Sequence, residues 1–375
     1  MYFPWTRVAT FVALAAIVVI ANTPLQLNAA SNPEAAANWN AQVVKDRLVK
    51  LQLPVPVQSN EQVMTRIRQY VITGKTETEA ILGRTNLYFP IFEHQLRAHG
   101  LPEELKYLPL IESGLLITIK SPVGATGVWQ LMTVSARHFG LQVGNGVDER
   151  MDIYRSTEAA MKMLKFLHNK FGDWALVLAA YNSGAGKVDE AIRMAGTKDY
   201  WKVKDYLPKE TQRYVPAFIA AAYVAKFHRQ HNLRPSSMSY FTPELRTLRI
   251  YRRVTFGEIA RVTGANLTLL ARLNPAFVQG IIPESKEGRF LILPNEKATL
   301  ALREYLSSTE EKAAGKNAFR TTYVVSKGDN LEQVAKLFQT SVDDIMKWNK
   351  LNDAKIVVRQ ELLLLLPKTF LLNRA

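Results

Sequence analysis

Residues 101–130 read LPEELKYLPLIESGLLITIKSPVGATGVWQ. One carboxylate, Glu112, stands among Leu110, Ile111, Leu115 and Leu116, and a glycine-containing loop follows that ends in Trp129-Gln130. Apolar neighbours predict partial desolvation, which disfavours the anion and raises the pKa of the acid. A carboxyl still protonated near neutral pH can pass a proton to a leaving oxygen, the first step in breaking a glycosidic bond. Taken alone, a glutamate at a helix end is the simpler reading. The surrounding chain decides against it.

The chain has 375 residues, 47% of them hydrophobic and 22% charged. That is globular composition at a length expected to hold about two or three domains. The formal charge of +15 predicts attraction to a polyanion: nucleic acid, anionic lipid or the acidic polymers of a bacterial wall. No basic helix with interleaved aromatics supports nucleic acid, so no nucleic-acid partner is expected. Arg7 precedes an apolar run from Val8 to Ala21, and Ala29, Ala30 and Ser31 supply small residues after it. This is the layout of a secretory signal, too short for a span of about 20 apolar residues. Leu27 and Asn28 spoil the cleavage site, which leaves an uncleaved N-terminal membrane tether open. There is no cysteine, which excludes thiol catalysis, cysteine-based zinc sites and a lipoprotein anchor. The histidines (among them His94, His138, His168, His228 and His231) form no HExxH pattern. Neither metal nor cofactor is expected.

Working outward, residues 33–100 read as helices broken at Pro54, since proline does not continue a helix interior. From Leu101 to His231 the pattern is strongly helical. Ser156 reads as the N-cap of a helix carrying Ala160, Met163, Leu164, Leu167 and Phe171 on one side. WALVLAAY then ends at Asn182-Ser183-Gly184, residues suited to a helix exit. In the last third the chain repeats. FGEIARVTGANLTLLARLNPAF, followed by FLILPNE, parallels NLEQVAKLFQTSVDDIMKWNKL, followed by LLLLLP. Aligning Ala260 with Ala335 brings Asn274 onto Asn349. Each copy predicts two helices and an apolar strand closed by proline. TTYVVSKGDN adds an opening strand to the second copy, with a turn at Gly328-Asp329, so the repeat reads as a small βααβ module. Duplicated modules of this kind argue for binding rather than for a second active site.

Four blocks occur in order: LPLIESG (108–114), GVWQLM (127–132), AYNSG (180–184) and ETQRYVP (210–216). Together they resemble the soluble-type lytic transglycosylase domain, and within it the membrane-bound murein transglycosylase D type. The segment from YVVSKGDN to LLLLLP resembles a LysM peptidoglycan-binding module. The copy from Tyr251 to Pro294 resembles a degenerate one that has lost its Gly-Asp turn.

The resemblance implies a mainly α protein: a goose-lysozyme-like helical catalytic domain followed by small βααβ LysM-type modules. The expected divisions are a signal or anchor at 1–30, a helical region at 31–96 and the catalytic domain at 97–235. A degenerate LysM-like module at 245–297, a linker at 306–320 and a LysM module at 321–368 complete the chain. The implied function is that of a peptidoglycan lytic transglycosylase, exported to the periplasm or cell envelope of a bacterium and acting on glycan strands. It would cleave the β-1,4 bond between N-acetylmuramic acid and N-acetylglucosamine without water, leaving 1,6-anhydromuramyl ends. Glu112 is carried over as the catalytic acid and then base. Ser113, Ser121, Gln130, Met132, Tyr181, Asn182 and Tyr214 are carried over as substrate-binding or supporting residues. Within that set Tyr214 holds Glu112, and Met132 lines a sugar wall together with Trp129. Trp348 and Tyr323 read as core of the small module. A hydrolytic muramidase and a non-catalytic wall-binding protein are the competing readings. Gln130 and Asn182 could equally serve loop backbone groups.

Overall fold

The computed structural model describes residues 36–237 and 244–367, except 315–317, 326, 327, 339 and 359. The export signal expected at 1–30 lies outside them. Among the described residues no helix is long and apolar enough to cross a membrane. The chain divides into two units. The first holds residues up to 243 with 250–255 and 271–289, and the second holds 244–249, 256–270 and 290 onward.

The first unit is helical. α1 (Ala41–Val49) and α2 (Glu61–Arg68) are each started by an asparagine, Asn40 and Asn60, whose side chain accepts from first-turn amides. The break at Pro54 falls between them. α3 (Lys75–His99) tolerates Pro90 in its interior and stops at Gly100 in left-handed conformation. A 3-10 turn leads into α4 (Leu108–Ser113), every residue of which is buried. After α5 (Thr133–His138) comes a short antiparallel hairpin, β1 (Val143–Gly144) with β2 (Val147–Asp148). α6 (Ile153–Phe171), α7 (Trp174–Ser183) and α8 (Ala185–Ala195) come next, and α9 (Tyr214–Phe227) closes the domain.

The cap of α6 differs from the sequence reading. Asp152 is the N-cap, its carboxylate accepting from the amides of Tyr154 at 2.9 Å and Arg155 at 3.0 Å. Ser156 lies inside the helix, fully buried. Aspartate and serine cap about equally well, so the apolar Ile153 decides: it must face the core and therefore joins the helix. One hydrophobic core runs from Val44 to Leu233, so the helices ahead of Arg97 share a single core with those that follow it. α7 and α9 are buried almost all round, which marks them as the centre of the domain.

In the repeat, β3 (Arg246–Ile250) pairs with β6 (Arg289–Leu293). Between them in sequence lie β4 (Val254–Thr255), α10 (Phe256–Thr263), α11 (Leu267–Leu273) and β5 (Ile281–Ile282). β4 and β5 form another pair, antiparallel. α12 (Glu296–Ala314) runs through most of the segment read as linker, its alanine, glutamate, lysine and leucine content sustaining a helix. The final module is β7 (Ala318–Val324), α13 (Leu331–Leu337), α14 (Val342–Asn349) and β8 (Glu361–Pro367), with β7 antiparallel to β8 over its whole length. Leu362, Leu364 and Leu366 point into a core with Leu331, Val334 and Ile345, the alternation expected of a strand with one buried face. Tyr323 and Trp348 pack against that core. A capping box at Asn330 and Gln333 starts α13. The Asn349 side chain donates to Ile345 O and Leu363 O, both at 2.8 Å, and ties α14 to β8.

Candidate active site

α4 delivers Glu112 from its last turn. Gly114 (φ 57°) and Leu115 (φ 64°) are both left-handed, so the chain reverses directly behind the acid. A leucine there stores strain and persists only where its surroundings fix it. The Ser113 hydroxyl accepts from Leu115 N at 3.1 Å, and Arg84 on α3 donates to Gly114 O at 2.9 Å. Ser113 also donates to Val128 O at 2.8 Å, tying the acid's helix to the loop at 121–131.

Glu112 is 1% exposed. Burial pushes its pKa up to about 8, the Tyr214 hydrogen bond pulls it down, and the charge of Glu210 adds to the rise. Tyr214 at the start of α9 donates its hydroxyl to Glu112 Oε1. Glu112 Oε2 is buried with no hydrogen-bond partner. Tyr181 on α7 donates to Trp129 O at 2.7 Å. Its phenol is pushed well above the usual tyrosine range, first by burial and then by the charge of Glu112. The acid, the loop and the two central helices therefore meet at one point.

The loop binds itself. Ser121 Oγ accepts from Ala125 N at 3.0 Å. Gln130, left-handed at φ 47°, donates its amide to Gly127 O at 2.8 Å and to Ile119 O at 3.3 Å. The Gln130 amide nitrogen thus does the backbone duty that the sequence left as an alternative. Asn182 Oδ1 accepts from Thr211 Oγ1 at 2.8 Å, whereas Asn182 Nδ2 is buried and unpartnered. Two polar atoms, one on Glu112 and one on Asn182, are thus available to a ligand that reaches them. Met132 is half-buried at the start of α5.

Trp129 corrects the sequence reading. It is fully buried, its Nε1 donates to Thr157 Oγ1 at 2.9 Å, and its ring meets Phe92 edge-on at 5.0 Å. The indole N–H must find a partner when buried, and α6 supplies one, so the ring forms core under the loop rather than a sugar wall.

The sequence reading missed Arg150. Its Nη1 donates to Gly124 O at 2.8 Å and Leu131 O at 3.1 Å, binding both ends of the loop. Asp148 holds the guanidinium at Nε (2.8 Å) and Nη2 (2.7 Å). The only signal was the charged run Asp148-Glu149-Arg150.

Comparison with known proteins identifies the domains of the chain. Residues 89–204 match the transglycosylase SLT domain, 244–305 the LysM-like domain of the lytic transglycosylase MltD, and 323–364 the LysM domain. The chain therefore carries the domain set of a family of enzymes, the lytic transglycosylases. Within it, the membrane-bound lytic murein transglycosylase D of Escherichia coli K12 is a homologue, 29% identical over 326 residues covering 83% of this chain and 70% of that protein. A peptidoglycan transglycosylase, gp16 of Escherichia phage T7, is 33% identical over 104 residues, 27% of this chain and 8% of its own. Among solved structures, the soluble lytic transglycosylase SLT70 of Escherichia coli aligns at 17% identity with a TM-score of 0.37, over 54% of this chain and 32% of that one.

Proposed function

We propose that the protein is a peptidoglycan lytic transglycosylase that cleaves the β-1,4 bond between N-acetylmuramic acid and N-acetylglucosamine without consuming water. The single observation that supports it best is the buried Glu112, with a pKa raised to about 8 and one free oxygen. Ordinary glycosidases use two carboxylates. Here one suffices because the substrate supplies the second group. Protonated Glu112 gives its proton to the bridging oxygen as the C1–O bond breaks, and the N-acetyl oxygen of the muramyl residue stabilises C1. The muramyl C6 hydroxyl then closes onto C1 and returns its proton to the Glu112 carboxylate. The products are an N-acetylglucosamine 4-hydroxyl and a 1,6-anhydromuramyl end, and the acid is regenerated. A pKa near 8 suits both halves: the group is protonated at neutral pH, and its anion is basic enough to take the second proton.

Asn182 and Met132 are proposed substrate contacts. Ser113, Ser121, Gln130 and Tyr181 hold the loop and acid in register for the strand. The LysM module raises the local concentration of glycan through its linkage to the catalytic domain. Residues 1–30 carry the export signal or tether that puts the enzyme in the periplasm or envelope. Digestion of purified murein sacculi, with product ends read by mass spectrometry, tests the proposal. Anhydromuramyl ends, lighter than reducing ends by one water, are expected. Reducing ends would make the enzyme a muramidase, and intact sacculi that retain the protein would make it a wall-binding protein.

Tyr214 is a positioning residue. It donates to Glu112 Oε1, which stabilises the carboxylate and lowers the pKa. Tyr214→Phe should therefore lower kcat by roughly 10–100-fold. The alkaline limb of kcat/KM should move to higher pH, because the acid keeps its proton longer. A lower kcat with an unmoved limb would show that the hydroxyl serves packing only.

A further inference from the structure

The structure assigns to residues 271–289 of the LysM-like repeat a role in the catalytic unit: they clamp the loop beside Glu112, and Arg289 is the positioning residue that locks the clamp. This segment belongs to the same unit as the helical domain and contacts it through a backbone bridge and through the Arg289 side chain. The backbone of Phe277 bridges Val147 antiparallel. Asp148 N donates to Ala276 O at 2.8 Å, and Val278 N donates to Gly146 O at 3.0 Å. The hairpin β1–β2 thus gains a further strand-like neighbour from a distant part of the chain.

The ionic contact lies beside it. Arg289 Nη1 meets Glu149 Oε1 at 2.9 Å, with side chains only 12% and 10% exposed, and Arg289 Nη2 donates to Gln142 Oε1. Glu149 Oε2 in turn accepts from Gln142 N at 2.7 Å, and Glu149 N donates to Gln142 O at 2.9 Å. An arginine fork spans two acceptors at fixed geometry, which a point-like ammonium does not reproduce. Arg155 Nε stands 3.7 Å from the same Glu149 Oε1, so Glu149 is gripped from both sides.

From this clamp to the acid the path is short. Asp148, fixed by Ala276 through its amide, fixes Arg150 through its carboxylate. Arg150 ties Gly124 and Leu131, the two ends of the loop, and its own carbonyl lies against Gly127. The loop then holds the acid's helix through Val128 and Ser113. Each link is a direct hydrogen bond or contact between buried or half-buried groups, a contiguous network of the kind that carries coupling between distant residues. The repeat that lost its Gly-Asp turn has accordingly taken on an intramolecular role for part of its length.

The inference rests on the proposed activity for its kinetic readout, and amide exchange tests it independently. Full-length Arg289→Ala and Arg289→Lys are compared with wild type on sacculi and by hydrogen exchange. In Arg289→Ala, amides of residues 121–131 should exchange at least about tenfold faster while those of Trp174–Ser183 stay unchanged. kcat should fall roughly tenfold, with KM changed less than about twofold, as expected when a reacting group is misplaced. Arg289→Lys should fall between the two. Unchanged exchange at 121–131 in a folded variant would overturn the assignment. So would a lower melting temperature with kcat intact, because Arg289 would then hold the fold alone. If wild type cleaves no murein, the proposed activity fails while the exchange result still decides the clamp.

Discussion

Glu112→Gln is expected to lower murein cleavage by about 10³–10⁴-fold while gaining stability relative to the wild type as pH rises. The loss belongs at the upper end of what one acid-base group contributes because the same carboxyl serves both half-reactions. The stability gain comes from linkage. The folded-state pKa is about 8 against an ordinary 4.5, so between those values the native state keeps a proton that the unfolded chain has lost. The stability of the wild type therefore falls as pH rises through that window. A glutamine is neutral throughout and does not share the fall. Burial of the amide adds an offset that is independent of pH, so the diagnostic quantity is the slope. The advantage of the variant should grow by about 2–4 kcal/mol between pH 4.5 and pH 8 and then level off. Thermal melts of both proteins at about pH 5, 6.5 and 8 measure it. Parallel melting curves across that range would mean that Glu112 ionises in water like a surface carboxylate, and the acid role would lose its physical basis.

The residues that reveal this site from sequence do so because their signal is local. Glu112 stands inside its own apolar run, and Gly127 and Gln130 stand in one loop. The helices of the domain are legible from three- and four-residue spacing, and the exit at Asn182-Ser183-Gly184 lies where those residues predict it. The opaque features depend on distant partners. Trp129 reads as a sugar platform until Thr157 and Phe92 are seen around it. Arg150 goes unnoticed in the sequence until the loop carbonyls are seen to converge on it. Arg289 meets Glu149 across 140 residues of chain, and no periodicity carries that pairing. The segment read as linker is helical for most of its length. Serine, glutamate and lysine suggest a solvated coil, yet ATLALREYL ahead of them keeps helix-forming residues in phase, and α12 results.

Gly127→Ala should be the most disruptive single-methyl change in the loop, costing about 3 kcal/mol or more and lowering turnover at least about 100-fold. Two effects combine. Gly127 has φ +85°, a conformation that L residues adopt at a cost of about 1–2 kcal/mol. An added Cβ would also stand 1.9 Å from the carbonyl oxygen of Arg150 and 2.8 Å from its carbon. Those are backbone atoms, so no side chain can swing aside. Relief must come from moving Gly127 itself, whose amide donates to Ile119 O at 3.0 Å and whose carbonyl accepts from Gln130 N at 3.1 Å and Nε2 at 2.8 Å. Moving it pulls Gln130 and Val128 with it, and Ser113 passes the shift to the acid's helix. Gly140 separates the two effects, since its φ is +91° and nothing lies within 4 Å of an added Cβ. Gly140→Ala should therefore show the backbone cost alone, about 1 kcal/mol, with turnover near wild type. Chemical denaturation and sacculus digestion of the two variants side by side measure the difference. Equal losses would assign the sensitivity of the loop to backbone conformation. A loss confined to Gly127→Ala would assign it to the close approach of Arg150, the residue through which the loop is held over Glu112.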